Sequence, residues 1–155
     1  AEGRLFTEED IIKKYGDIPV YAFNFIDYIL WKNREELGRK YKGVKFDHFK
    51  FAYRRSIEHW FPQHPNSDEK IEKMDDQFLH SFGNLCIITD SQNSKFGNLV
   101  PSAKYKQWEG IFDRQSLKLQ IMANITEKTK WESYQIKGLE KEILPMVKRF
   151  IESKS

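Results

Sequence analysis

The fold is decided by a stretch of sequence in two halves, Ser56-Ile57-Glu58-His59-Trp60-Phe61-Pro62-Gln63 and Gly83-Asn84-Leu85-Cys86-Ile87-Ile88-Thr89-Asp90-Ser91-Gln92-Asn93. The first half closes a run from about Phe49 to His59 whose side chains alternate in the manner of a strand. Pro62 ends that run, because proline cannot donate to a strand ladder and restricts the residue before it. A carboxylate, Glu58, and a histidine, His59, therefore stand at the end of a predicted strand.

The second half begins with a short apolar run after Gly83. Leu85 to Thr89 predicts a second strand, the partner of the first in a hairpin with a long connection. Asp90 or Ser91 can cap a following helix, which places Asn93 in its first turn. The two halves together predict the order strand, strand, helix.

These residue types suit phosphodiester hydrolysis. A histidine with a pKa near its ordinary value of ~6.5 is neutral often enough at neutral pH to take a proton from water, so His59 is the candidate general base. Glu58 and Asn93 offer oxygen ligands, which suit Mg²⁺ or Mn²⁺ better than zinc. The sequence contains no carboxylate cluster typical of a two-metal site. It therefore predicts a nuclease that uses one Mg²⁺ or Mn²⁺ ion.

Length and composition predict one domain over residues 1–155. The chain has 155 residues, of which 39% are hydrophobic and 15% aromatic, enough for a packed core. No apolar stretch approaches the length of a membrane span, so we expect no membrane partner. The only cysteine, Cys86, excludes an internal disulfide and fits a reducing compartment. Because the chain does not begin with Met, we expect it to be part of a longer protein.

Charge is segregated along the chain, although the net charge of +3 is too small to indicate nucleic acid by itself. Basic residues surround the two halves, and acidic residues fill the spacer between them. The basic set is Lys45, Lys50, Arg54, Arg55, Lys95, Lys104 and Lys106, and the acidic set within spacer 66–80 is Asp68, Glu69, Glu72, Asp75 and Asp76. A solvated surface explains both sets, but Arg54 and Arg55 are nearly as well explained as phosphate contacts.

Helices are predicted on both sides of the hairpin. They are expected over residues 7–16 with Thr7 as cap, 20–32 before a polar stretch at 33–42, 102–112, 117–127, and 131–153 with a kink or break at Pro145. In the spacer, a helix capped by Ser67 and a loop are both compatible with the sequence. The predicted fold class is α+β: a strand-strand-helix core at about 50–104, a helical N-terminal part at 5–45 and a helical C-terminal part at 102–153.

The motifs resemble those of a known family. Glu-His-Trp-Phe-Pro-Gln, then Gly-Asn-Leu, nine residues from Asn84 to Asn93, and then Asn98 and Pro101, are similar to the His-Me finger (HNH) nuclease domain. The resemblance is in particular to the C-terminal domain of GmrSD-type modification-dependent (type IV) restriction endonucleases, and it extends to the HNH domain of RNA-guided CRISPR nucleases. It covers about residues 56–104. It implies a ββα-metal motif embedded in a mainly helical domain.

The resemblance also implies residue roles. It makes His59 the general base, Glu58 and Asn93 the ligands of one Mg²⁺ or Mn²⁺ ion, and Asn84 the side chain that braces the loop between the strands. Gln63 and Asn98 fall at supporting positions around this site. Three further residues match frequent polar positions, where they could touch phosphate or cap the helix: Lys95, Asn98 and Lys104.

The implied partner is DNA, expected to be double-stranded, with its modification left open. In the resembling enzymes a separate ParB-like NTPase domain senses modified DNA or gates activity, and this chain has no glycine-rich phosphate loop to supply it. The implied setting is restriction or anti-phage defence in a bacterial or phage-related cytoplasm.

Two other functions stay open at this stage. One is a degenerate finger that binds DNA or a protein without cutting, and the other is an RNA-cutting nuclease of the same geometry. His64 and His80 are expected to be loop residues, with a place beside the phosphate or metal as the alternative. His48 is expected to be structural.

Overall fold

The computed structural model describes residues 8–65, 73–108 and 115–154. This part of the chain is mainly helical and carries one small antiparallel sheet, so the class is α+β. The helices are α1 Glu9–Ile12, α2 Val20–Lys32, α3 Arg34–Lys40, α4 Asp76–Leu79, α5 Asp90–Phe96, α6 Pro101–Trp108, α7 Leu117–Lys128 and α8 Ser133–Lys154, and the strands are β1 Ser56–His59 and β2 Leu85–Ile88. Short 3₁₀ helices cover Phe46–His48 and Phe82–Asn84. None of the helices in these ranges has an apolar stretch long enough to cross a membrane.

The two strands form an antiparallel pair. Ser56 lies opposite Ile88 and His59 lies opposite Leu85, so the end of β1 meets the beginning of β2. Every residue of β2 is buried, because this strand packs against both α2 and α7. The sheet is therefore anchored in the core through β2, while β1 carries Glu58 and His59.

The first strand is shorter than the sequence predicted. It begins at Ser56, so the prediction of a strand from Phe49 was wrong for its first part. The Arg54 N–H donates to Asn24 Oδ1 at 3.0 Å, and Asn24 Nδ2 donates to the Arg54 carbonyl at 2.9 Å. A side chain from α2 thus takes the place of a strand partner just before β1.

Helix α2 has the predicted bounds, and its apolar stripe is buried. The polar stretch after it is also helical, because only Asn33 separates α2 from α3. Acidic residues in the first turn of α3 and basic residues in its last turn complement the helix dipole. The polar stretch therefore forms a short helix of its own within the predicted helical N-terminal part.

Other predicted boundaries also need correction. Thr89, and not Asp90 or Ser91, caps α5, since its hydroxyl accepts from Gln92 N at 3.2 Å. Helix α8 runs without interruption through Pro145, so the helix is not split there. The predicted caps Thr7 and Ser67, and the end of the helix predicted over 102–112, lie outside the described residues.

Helix α8 packs directly on the turn that leads into β2. The Gly83 N–H donates to Glu140 Oε2 at 2.9 Å. A Cβ atom at position 83 would collide with the backbone carbonyl of Ile136, so only glycine allows this close approach. The C-terminal helix therefore fixes the entry of β2.

A buried carboxylate joins α2 to α7. Asp27 Oδ1 accepts from the Lys118 N–H at 3.2 Å, and Arg54 Nη1 lies 4.0 Å from Asp27 Oδ2. Burial outweighs these favourable contacts and raises the pKa of Asp27 to about 7. Around neutral pH this carboxyl is therefore poised between its charged and neutral forms.

Asp27→Asn is expected to gain stability relative to the parent protein as pH rises from about 4 to about 7. Folded Asp27 binds its proton more tightly than the unfolded chain, where its pKa is 3.8, so the parent loses stability across this interval. This difference in the pKa of Asp27 corresponds to a change of about 4 kcal/mol at most in the free energy of unfolding. Urea unfolding of both proteins across the interval measures the difference. A difference that does not change with pH would contradict the assignment.

Candidate active site

The end of β1 carries an acid and a histidine that are both buried. Glu58 is 6% exposed and His59 is 5% exposed. The Trp60 N–H donates to the Asn84 carbonyl at 2.9 Å and so extends the pairing one residue beyond β1. The two side chains thus project from a backbone that is fixed on both sides.

Lys104 of α6 holds this backbone in place. Its ammonium is fully buried and donates to the carbonyls of His59 at 2.7 Å and Trp60 at 2.8 Å. It also lies 3.3 Å from Glu58 Oε2. That oxygen accepts no well-aligned hydrogen bond, so the Lys104–Glu58 contact is an interaction of charges.

Burial is the largest cause of the pKa shifts of Glu58 and Lys104. It raises the pKa of Glu58, while the neighbouring Lys104 ammonium acts in the opposite direction. It also lowers the pKa of Lys104, and Glu58 opposes that shift. Each charge therefore favours the charged form of its neighbour, against the effect of burial.

The His59 ring is held on three sides. Nε2 lies 3.0 Å from His80 Nδ1, and Nδ1 lies 3.4 Å from Gln63 Nε2. The Tyr15 ring meets it edge-on, with centroids 4.4 Å apart. Burial, with smaller effects from His80 and Lys104, lowers the pKa of His59 to about 4. The imidazole is therefore neutral at neutral pH and has a lone pair to receive a proton.

Asn84 braces the chain after β1. Its fully buried side chain accepts from Phe61 N at 2.9 Å and from Trp131 Nε1 at 2.8 Å. Its amide nitrogen donates to the carbonyls of Phe61 at 3.1 Å and Leu79 at 2.9 Å. One side chain thus connects the exit of β1 to α4 and to the segment between α7 and α8.

Asn93 lies on α5, directly after β2, and is exposed. Helix α5 contacts β1, and the Ser56 hydroxyl donates to the carboxylate of Asp90 at the start of the helix. The Asn93 N–H donates to the Thr89 carbonyl at 3.0 Å. Glu58, His59 and Asn93 therefore belong to one unit made of β1, β2 and α5.

The two predicted metal ligands, Glu58 and Asn93, are oxygen donors. Within the described ranges, no three or more His, Cys, Asp or Glu side chains form a metal-binding group. Glu58 Oε2 is buried without a hydrogen bond and lies 3.3 Å from the Lys104 ammonium, and Asn93 is exposed. Oxygen donors of this kind suit Mg²⁺ or Mn²⁺ and not the nitrogen and sulfur sites of zinc.

The predicted phosphate contacts separate into two groups. Arg55 and Lys95 are exposed, whereas Arg54 is 6% exposed and Lys104 is fully buried. Arg54 and Lys104 are occupied by internal carboxylates, so the expectation that these two cations face a phosphate does not fit their positions. Asn98 is exposed, and Gly97, with φ of 50°, takes the position that ends α5.

A carboxylate and a neutral histidine at a strand end, with an exposed amide on the following helix, define a candidate hydrolytic site on a small α+β domain. Comparison with protein families identifies it further: GmrSD restriction endonucleases, C-terminal domain, matches residues 6–145. The chain belongs to this family, and the resemblance of its motifs to the C-terminal domain of GmrSD-type restriction endonucleases is confirmed. Membership indicates a restriction-endonuclease role, hence nuclease activity with DNA as substrate. Neither a curated protein nor a solved structure gave a significant match.

The contacts of Tyr15 and His80 with His59 were not predicted, although a place beside the phosphate or metal was the alternative given for His80. His80 follows α4, in keeping with a loop position, but its ring contacts the His59 ring. No spacing in the sequence indicates this contact. It arises because Lys14 pairs with Ser81 in an isolated bridge and brings Tyr15 and His80 together over His59.

Proposed function

We propose that this domain is a metal-dependent DNA endonuclease of the His-Me finger (HNH) type, with β1, β2 and α5 as its ββα-metal motif. The observation that carries the proposal is the buried His59 ring, held by His80, Gln63 and Tyr15, with the buried Glu58 directly before it on β1. Membership in a restriction-endonuclease family supports the same reaction.

In this proposal His59 accepts a proton from the attacking water. Glu58 and Asn93 would hold one Mg²⁺ or Mn²⁺ ion, which when bound supplies stabilisation of the negative charge on the phosphate and the leaving oxygen. Lys104 fixes the carbonyls on either side of the His59–Trp60 peptide, and Asn84 fixes the loop that follows. The expected products carry a 5′-phosphate and a 3′-hydroxyl.

DNA contact is proposed for the two exposed cations, Arg55 and Lys95. Arg55 directly precedes β1 and Lys95 lies in the last turn of α5, so both flank the candidate site. Backbone phosphate contacts release counterions, so each cation contributes to the dependence of affinity on salt.

Arg55→Gln and Lys95→Gln are each expected to weaken DNA binding to a similar degree for all sequences, and to reduce the salt slope by about 1. Titration of a labelled duplex at several salt concentrations, without a divalent ion to prevent cleavage, measures both quantities. Arg39→Gln, on an exposed position of α3, is the matched control. Unchanged salt slopes for both site variants would remove these residues from the interface.

The proposed setting is restriction or anti-phage defence in a bacterial or phage-related cytoplasm. The matched family is described as the C-terminal domain of GmrSD restriction endonucleases, and this description supports the proposal that the domain is part of a longer protein. We place recognition of DNA modification in a separate ParB-like NTPase domain of that protein.

A cleavage assay tests the function directly. Supercoiled plasmid and labelled RNA are incubated with the domain in Mg²⁺, in Mn²⁺ and in EDTA. The proposal predicts nicked or linear DNA with either ion and intact DNA in EDTA. DNA binding without cleavage would favour the degenerate module, and faster cleavage of RNA would favour an RNA nuclease.

A further inference from the structure

His80 makes the shorter of the two polar contacts to the His59 ring. Its Nδ1 lies 3.0 Å from His59 Nε2, and the two rings stand at 85° with centroids 5.1 Å apart. Gln63 Nε2, on the other side, is 3.4 Å from His59 Nδ1. The perpendicular arrangement directs an N–H of one ring at the in-plane lone pair of the other.

The backbone holds His80 in this position. Its N–H donates to the Asp76 carbonyl at 3.2 Å, and its carbonyl accepts from the Tyr15 N–H at 2.8 Å. The Tyr15 ring then stacks on His80 at 6.0 Å and 19°, while its edge meets His59. Two separate segments of the chain thus place His80 against the histidine of the proposed active site.

The two nitrogens of His59 therefore have different partners. With its amide nitrogen facing His59, Gln63 donates to Nδ1, and this orientation of the amide leaves the ring proton on Nε2. That proton then points at Nδ1 of His80. Gln63 is exposed and its contact is long, so water can replace it at Nδ1. Water cannot replace His80 as easily, because the backbone of His80 is held by hydrogen bonds to Asp76 and Tyr15.

We infer that His80 is a positioning residue that accepts the Nε2 proton of His59 and thereby keeps the Nδ1 lone pair directed toward the reacting water. This role rests on the proposed function, because it concerns the base of that reaction. A neutral imidazole has two tautomers, and only the one protonated at Nε2 leaves Nδ1 free to accept a proton. His80 selects that tautomer and fixes the ring orientation.

Three replacements of His80 separate this role from packing. The Asn carboxamide reaches the position of Nδ1, whereas the Gln carboxamide reaches the position of Nε2. His80→Ala is expected to lower the single-turnover cleavage rate about 10- to 100-fold, as for other residues that orient an active-site group. His80→Asn should recover most of the rate and His80→Gln should not, with the KM for DNA unchanged in all three. His64→Ala, at an exposed histidine, is the control.

The tautomer can also be read without any reaction. Long-range ¹H–¹⁵N correlation spectra of the metal-free protein report which nitrogen of His59 carries the proton. The inference predicts Nε2 in the parent and in His80→Asn, and a shift toward Nδ1 in His80→Ala. A parent protein with the proton on Nδ1, or equal rates for His80→Asn and His80→Ala, would overturn it. If the parent shows the predicted tautomer but cuts no DNA, the proposed function fails and the His80 contact stands.

Discussion

Replacing His59 with alanine is expected to lower the rate of DNA cleavage about 10²- to 10⁴-fold, the range that general base catalysis contributes. The imidazole is neutral because burial lowers its pKa to about 4, and its ring is fixed by His80 and Tyr15. Alanine removes the only group that the proposal assigns to take the proton of water. Single-turnover nicking of plasmid in Mg²⁺ measures the loss.

The matched control is His48→Ala, the same change at an exposed histidine in the 3₁₀ helix Phe46–His48. It should cut DNA at the parental rate. Thermal unfolding of both variants shows that they are folded at the assay temperature. Parental activity in His59→Ala would remove His59 from the mechanism.

Replacing Lys104 with methionine is expected to lower the free energy of unfolding by about 3–5 kcal/mol, as when one partner of a buried ion pair is lost. Methionine has a similar length but cannot donate, so the carbonyls of His59 and Trp60 lose a donor. The Glu58 carboxylate also loses the charge 3.3 Å from Oε2. Urea unfolding of variant and parent measures the effect.

A double-mutant cycle attributes the loss to the pair. Combining Lys104→Met with Glu58→Gln removes the unpaired charge, so the double variant should be more stable than the sum of the single effects predicts, by about 0.5–3 kcal/mol. Lys106→Met, at an exposed position of the same helix, should change stability little. If Lys104→Met and Lys106→Met had the same effect, the ammonium would not support the site.

Local pattern was enough to predict much of the fold. Leu85–Ile88 is apolar throughout and short, and it is the buried strand of the hairpin. The helical spacing of Ala22, Ile26 and Leu30 gives the buried face of α2. In both cases the apolar pattern lies within a few neighbouring residues, so the buried residues can be predicted from the local sequence.

Long-range polar contacts could not be predicted in the same way. Lys118 is almost fully buried and donates to the carbonyls of Phe82 at 3.0 Å and Leu85 at 2.5 Å, with its pKa lowered to about 8 by burial. Lys104 does the same at the end of β1. Both lysines resemble surface residues in the sequence, because the carbonyls that receive them come from a distant part of the chain.

The candidate site shows the same division. Glu58, His59 and Asn93 could be singled out because their spacing follows strand and helix geometry, whereas the contact of His80 depends on how α4 and the segment after α1 meet. Arg54 was expected at the surface, yet Asn24 and Asp27 of α2 draw its backbone and its guanidinium inward. Sequence spacing therefore predicts the candidate reacting groups and the bracing position of Asn84, but not the contacts of His80 and Arg54.

Anomalous diffraction from crystals of the domain soaked with Mn²⁺ tests most directly whether the segments Ser56–Gln63 and Gly83–Asn93 build one metal-dependent site. We expect one strong peak in contact with the Glu58 carboxylate and the Asn93 amide oxygen, beside the His59 ring. A peak bound elsewhere, with the side chains of Glu58 and Asn93 directed to separate surfaces, would contradict it.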